Sequence, residues 1–269
     1  GVGPLLAWRR TSLSSLKRNF AWPLGTALVA GAIAFAFGYR HFYALICLIL
    51  AVFVSLTIFS EFFRGARVLS ARSGDNIFSS VGQLTMRNTR RYGGYIVHFA
   101  IVLIFIGISG QAFNQDIQKK MSVGSQLTIG PYTLLCQNFD ATSNSNYTAE
   151  RATIEVFQGN RSVMMLYPER RFYLASQVTQ TVVAIHSSLA RDLYVVYAGR
   201  SPESNDPVIH VYLNPLVRWI WLGGLVLVLG TILALLPNRQ PQIVLHAARE
   251  EAKVKAFSEP APVRHHGDD

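Results

Sequence analysis

The sequence predicts an integral membrane α-helical protein, with about four transmembrane helices and an all-β extracytoplasmic domain inserted before the last of them. Two observations carry that prediction. Four apolar stretches each approach the roughly 20 residues that cross a hydrocarbon core about 30 Å thick. Between the third and fourth, a polar stretch of about a hundred residues reads as short alternating strands. Composition agrees: the 269 residues are 50% hydrophobic and 15% charged, with a mean hydropathy of +0.26.

The plan in chain order is a cytoplasmic segment (1–20), two transmembrane helices (21–60), a basic cytoplasmic loop (61–92), a third transmembrane helix (93–113), a β-rich domain (114–214), a last transmembrane helix (215–237) and a cytoplasmic tail (238–269). The apolar spans themselves are 21–37, 42–59, 95–113 and 216–236. Orientation follows from the basic residues, since Lys and Arg near span ends stay in the cytoplasm. Arg9, Arg10, Lys17 and Arg18 precede the first span, and Arg64, Arg67, Arg72, Arg87, Arg90 and Arg91 separate the second from the third. Arg239, Arg249, Lys253, Lys255 and Arg264 follow the fourth, whereas the link between the first two holds only Arg40. Both termini and the 61–92 loop are therefore expected inside, and the polar domain outside. Residues 114–213 carry eight basic and eight acidic residues, so the chain's net charge of +10 is a topology signal. Nucleic-acid binding is not indicated, because no basic stripe interleaves with aromatics on a soluble face.

The outer domain is expected to hold strands at 126–129, 132–138, 152–157, 162–167, 181–186, 193–198 and 208–213, with Gly159-Asn160 as a hairpin turn. About seven strands fit a small sandwich or barrel. Aromatic anchors mark the span ends: Trp22, Phe62, Phe63, Tyr92 and Tyr95 inside, Tyr39, Phe42, Tyr43, Trp219 and Trp221 outside. Ala27 with Gly31, and Ala30 with Ala34, have helix-packing spacing. Cys47 lies within the second span and Cys136 in the outer domain, so they do not meet readily. With no Cys-x-x-Cys and no Cys-x-x-Cys-His, the chain neither exchanges disulfides nor carries a c-type haem.

His98 interrupts a stretch otherwise apolar from 95 to 108. An intramembrane ionisable residue is a functional-site hypothesis by default, and imidazole is the commonest protein ligand to iron and its neighbours. On a helix starting near Tyr92, His98 shares a face with Gly94, Arg91, Ile101, Val102 and Phe105. A glycine one turn below leaves room for a flat macrocycle. The alternative is a structural histidine bonded to a neighbouring helix, with Gly94 a packing notch. His98 should lie about 10 Å into the membrane and His41 roughly 20 Å higher, so the two cannot share one iron. A second axial ligand is expected from a segment outside this chain. His186 and His210 read as ordinary strand histidines, and His246, His265 and His266 as incidental to the tail.

The run Arg90-Arg91-Tyr92-Gly93-Gly94-Tyr95-Ile96-Val97-His98, continued by an apolar stretch to Gly107-Ile108-Ser109-Gly110, strongly resembles a span of the CcmF/NrfE family of cytochrome c haem lyase subunits. The first ten residues, Pro168-Glu169-Arg170-Arg171-Phe172-Tyr173, Asp192-Leu193-Tyr194-Val195-Val196 and Asn214 to Trp221 look like further parts of it. The resemblance covers nearly everything before the tail that follows Asn238. It implies a carboxy-terminal portion, a fragment or a split-gene product, that takes part in covalent attachment of haem to apocytochrome c. This portion alone is expected to be inactive and to hold no catalytic residue. The family also implies haem b between two transmembrane histidines, one of them His98. Gly94 would pack on that haem, and Arg90 and Arg91 would meet its propionates. Implied partners are the upstream half of CcmF, CcmH/CcmI-type subunits, the haem chaperone CcmE, apocytochrome c, membrane lipid and quinol. Implied placement is the bacterial cell inner membrane, multi-pass, with both termini cytoplasmic and the β domain periplasmic. The family's tryptophan-rich outer segment and two outer histidines are absent, since Trp8, Trp22, Trp219 and Trp221 all lie outside the β domain. Arg170, Arg171, Phe172 and Tyr173 are either a contact surface for partners or a solvated loop. The rival function is a non-enzymatic membrane anchor or transporter subunit displaying a β-sandwich, with His98 structural.

Overall fold

The computed structural model describes residues 13–202 and 205–238. The expectations for Arg9, Arg10 and the rest of the first ten residues, and for the tail with His246, His265 and His266, lie outside the described residues, as do the side chains of Lys17 and Arg18.

The helices are α1 (Leu13–Ala36), α2 (Phe42–Ser73), α3 (Ile77–Arg87), α4 (Thr89–Ser109) and α5 (Val217–Leu235), with a 3-10 turn at Gly110–Phe113. Three helical segments, Phe42–Ser73, Thr89–Phe113 and Val217–Leu235, are long and apolar enough to cross a membrane, and α1 contributes a shorter apolar stretch, Phe20–Ala36. The chain is thus a membrane protein, with three spans of full length among the described residues where four were expected. The apolar part of α1 ends at Ala36, ahead of Gly38 in the left-handed region at φ +91.

The expected basic loop at 61–92 is instead a helical hairpin. α2 continues to Ser73, where Gly74 (φ +74) caps it by donating its N–H to Ser70 O, and α3 then returns the chain to α4. Arg64, Arg67 and Arg72, with Ala66 and Ala71, stand at the end of α2, and both residue types are strong helix formers. Charge there marks contact with water, not a break in the helix.

Ten strands follow: β1 (Gln115–Lys120), β2 (Gln126–Ile129), β3 (Tyr132–Ser143), β4 (Tyr147–Gln158), β5 (Arg161–Leu166), β6 (Glu169–Tyr173), β7 (Val178–Val182), β8 (Ala184–Ser187), β9 (Arg191–Arg200) and β10 (Pro207–Pro215). They form two antiparallel sheets, β1-β10-β9-β8 and β2-β3-β4-β6-β7, with β5 beside β4. The inner faces pack Leu134, Cys136, Ile154 and Val156 of one sheet against Leu193, Val195, Ile209 and Val211 of the other, all fully buried. This is a sandwich. The expected strand at 181–186 is split between β7 and β8, and β1 and β6 went unread. β1 is exposed along its length and carries a single apolar residue, so it shows no apolar alternation. Gly159 (φ +60) makes the turn between β4 and β5, as the hairpin signal predicts.

β10 runs directly into α5. Leu216 between them holds a left-handed conformation (φ +63), donates its N–H to Ala190 O, and is followed by Trp219, whose indole N–H donates to Leu189 O at 3.0 Å. The sandwich is therefore tied to the membrane region at the N-terminal end of α5.

Candidate functional site

α4 carries His98, and two neighbours fix its position. Against α5, small residues recur every seven positions: Gly93, Ala100 and Gly107 on α4, Gly223 and Gly230 on α5. A Cβ on Gly107 would stand 2.8 Å from Ile220 N, and one on Gly223 2.8 Å from Ala100 O. The backbones can approach this closely because no side chain intervenes. At the N-terminal end of α4, Thr89 donates through its hydroxyl to Leu236 O (2.6 Å) and through its N–H to Asn238 Oδ1 (2.9 Å), which ties the start of α4 to the end of α5.

Toward α2 the contacts are polar and aromatic. Arg91 donates to Glu61 Oε2 at 2.9 Å and to Tyr95 Oη at 3.0 Å, and Phe62 meets Tyr92 and Tyr95 at ring separations of 5.0 and 6.0 Å. Tyr92 and Tyr95 are buried, so they do not act as the lipid-facing anchors expected of them. Further out, Cys47 Sγ donates to Phe105 O at 3.3 Å.

Between these contacts α2 and the C-terminal part of α4 line an open apolar groove of about 730 Å³, bounded by Leu50, Val54, Val102 and Phe105, with His98 at one end and Ser109 and Gln111 at the other. His98 Nδ1 lies 2.7 Å from Gly94 O. A carbonyl can only accept, so Nδ1 carries the proton and Nε2 of the neutral ring keeps its lone pair. Hydrogen bonding of one ring nitrogen to a backbone carbonyl is how proteins orient an imidazole that ligates through the other. A Cβ built on Gly94 meets nothing within 4 Å, so the space beside it is open, whereas Gly93 is the residue pressed against α5 at Ala234.

The other expected residues lie apart. Arg90 is exposed, and Arg91 already has Glu61 as its partner. The His41 ring sits 5.4 Å from that of Phe113, and Phe113 is about 22 Å along α4 and its 3-10 extension from His98 at the helical rise per residue. In the sandwich, His210 donates from Nε2 to Asp116 Oδ2 (3.2 Å) and accepts from Tyr212 Oη at Nδ1 (2.9 Å), which engages both its nitrogens. Among the described residues no group of three or more His, Cys, Asp or Glu could hold a metal ion. A haem asks less of the protein, needing one imidazole per face.

Residues 168–173 are not a solvated loop. Glu169 to Tyr173 form β6, in which Glu169 is buried and accepts from Arg151 Nε (2.7 Å) and Arg171 Nε (2.8 Å). Arg170 points to the other face, 3.4 Å from Ala198 O and packed on Gly199. The seven-residue recurrence of small residues in α4 and α5 was visible in the sequence and was not read there.

Residues 112–215 match the family described as the CcmF C-terminal beta-sandwich. The cytochrome c-type biogenesis protein CcmF of Haemophilus influenzae is 28% identical over 247 residues, covering 89% of this chain and 36% of that protein. CcmF of Pseudomonas aeruginosa is 29% identical over 252 residues, covering 93% and 37%. The probable cytochrome c-type biogenesis protein NrfE of Escherichia coli is 29% identical over 140 residues, covering 52% and 25%. A solved structure named Cytochrome c Heme Lyase CcmF superposes with a TM-score of 0.68 at 23% identity, over 88% of this chain and 37% of that one, which shows the shared fold. The chain thus spans little more than a third of the CcmF relatives it matches. Residues 112–215 thus carry the CcmF C-terminal beta-sandwich, and with the helices around it the chain is similar to a carboxy-terminal portion of the CcmF/NrfE proteins.

Proposed function

We propose that this chain serves in a CcmF-like haem lyase that attaches haem covalently to apocytochrome c, and that His98 is one axial ligand of a transmembrane b-type haem. The observation that carries the reading is the His98 ring itself, with Nδ1 committed to Gly94 O and the ring on an apolar groove. The names of the similar proteins, in cytochrome c biogenesis and haem lyase, support it. A bound haem would supply reversible one-electron chemistry. His98 would hold its iron through Nε2, the open backbone at Gly94 would leave room for the ring edge, and Val102 and Phe105 would keep water away. Arg91, on the His98 face, is paired with Glu61, which leaves Arg90 as the candidate for a propionate. Positive-inside placement supports an arginine-rich cytoplasmic side and a periplasmic sandwich in a bacterial inner membrane. CcmE, CcmH/CcmI-type subunits, apocytochrome c and quinol as reductant enter the proposal through similarity.

The reduced-minus-oxidised spectrum of the full-length protein in extracted membranes tests this. A b-type band is expected in the native protein and should be lost or shifted in His98→Ala, while the sandwich, remote from His98, keeps its stability. An unchanged band in a folded His98→Ala protein overturns the assignment.

A further inference from the structure

The sandwich is open at one end. Directly opposite residues of an antiparallel sheet share a face, so Glu150 of β4 and Arg170 of β6 belong to one row, and Ser143, Thr148, Phe172 and Thr179 of β3, β4, β6 and β7 to the next. Glu150 reaches Tyr197 and Arg170 reaches Ala198 O, both on β9, which sets these rows on the face turned toward the second sheet. Ser143, Thr148 and Thr179 are nevertheless exposed, so the second sheet stops short of them. What remains is an open cleft of about 450 Å³, lined by hydroxyls and Phe172, with Glu150 and Arg170 on its β9 side. Its rim is β7, whose far edge has no strand beside it among the described residues. Residues 172–190 contain no Asp, Glu, Lys or Arg, and charge is the usual guard on an exposed edge.

We propose that this cleft binds an extended polypeptide segment of a partner, which pairs along the free edge of β7 and sets an acidic side chain against Arg170. Charge chooses the occupant. Glu150 accepts from Tyr197 Oη and, at 3.2 Å, from Arg200 Nε, so it meets Arg170 only at longer range. Arg170 is exposed and forms no ion pair among the described residues. Of the several donors on its guanidinium, one is engaged, in the 3.4 Å bond to Ala198 O. Arg170 and Arg200 against Glu150 leave the cleft short of negative charge. A strand added to β7 would lie about 10 Å from β6 at the ordinary sheet spacing, a gap that an arginine and a glutamate on one face close between them. Main-chain bonds supply the affinity and the carboxylate the specificity.

The test is fluorescence anisotropy of the full-length protein in detergent with a labelled peptide, Thr-Val-Thr-Glu-Thr-Val-Thr, beside its Glu-to-Gln counterpart and a copy N-methylated at alternate residues. The glutamate peptide should bind about tenfold more tightly than the glutamine one, the scale of a hydrogen bond between charged groups. The N-methylated copy should not bind, since it cannot pair with β7. Arg170→Gln should erase the preference for glutamate, whereas Arg161→Gln, an exposed arginine of β5 in the same sheet, should leave it intact. Equal binding of the two unmethylated peptides to the native protein, binding of neither, or equal losses in both variants would overturn the site. A photo-crosslinking residue at Ser143 that captures lipid, or another part of the same chain, in place of the peptide would overturn it as well.

Discussion

The membrane helices and the core of the sandwich both rest on apolar side chains and use them in opposite ways. In the sandwich, Leu134, Ile154, Val195 and Val211 are wholly enclosed by protein, each worth about 1.5–3 kcal/mol against exposure to water. In α5, Leu225, Val228, Leu229 and Ile232 are all more than half exposed, because their solvent is lipid. Lipid tails are as apolar as leucine, so those side chains give the helices no reason to associate. Association falls to features that look minor in the sequence: glycines that let backbones touch, and isolated polar hooks such as Thr89 with Asn238 and Arg91 with Glu61. One region is held by what it buries, the other by what it omits.

The largest effect that would sharpen this contrast is expected from Ile154→Ala. Deleting that much of a closed core should cost about 2–5 kcal/mol. Cys136 provides a reporter: burial pushes its thiol up to about 11, so in the folded sandwich it is protonated and should resist alkylation at neutral pH. Faster labelling of Cys136 in the Ile154→Ala protein, with the helical region melting as before, is the expected result. If the melting of α4 and α5 falls equally, the two regions are one cooperative unit and the contrast fails.

A second, smaller effect separates two glycine positions of α4 in kind. Gly107→Val would force a side chain to within 2.8 Å of the Ile220 amide, and backbone cannot move aside as a flexible side chain can. The expected loss is about 1–3 kcal/mol, typical of overpacking, read as a lower melting temperature in detergent. Gly94→Ala meets nothing within 4 Å and should leave melting unchanged or raise it slightly, since alanine favours helix. Equal destabilisation by both would mean that the seam with α5 is not what holds α4.

These contrasts explain which parts of the structure were legible. Long apolar runs and β-branched alternation respond to burial or to lipid, and burial is what hydrophobic patterning encodes. Thus β2 and α5 could be read almost to the residue, α4, β3 and β4 with ends off by several residues, and α2 only in its apolar part. The hairpin of α2 and α3 was hidden, because arginines in a helix and arginines in a loop look alike in composition. β6 was hidden for a related reason. Glu169 is buried by pairing with Arg151 and Arg171, and the partner on β4 cannot be known before the sheet is assembled. His98 was legible as an anomaly, an imidazole in an apolar run. The bond from its Nδ1 to Gly94 O also follows from i−4 spacing on a helix.

The smallest effect concerns that buried carboxylate and probes the one place where the sandwich, too, depends on polar hooks. Burial alone would push Glu169 up, but hydrogen bonds from Arg171 and Arg151 outweigh it and hold the carboxyl below its ordinary value of 4.5. Glu150 follows the same pattern: burial opposes ionisation, and hydrogen bonds from Tyr197 and Arg200 prevail. A carboxyl depressed in the folded state contributes stability that is complete above its unfolded value and is lost as pH falls through its folded value. The sandwich should therefore hold its stability at neutral pH and weaken below 4.5. Glu169→Gln should cost roughly 1–2 kcal/mol at neutral pH, the scale of a hydrogen bond to a charged group. Its difference from the native protein should shrink in acid, as measured by denaturation midpoints at the two pH values. A difference that stays constant with pH would mean that Glu169 supports the sheet by packing rather than by charge, and the dependence on polar hooks would then belong to the membrane helices alone.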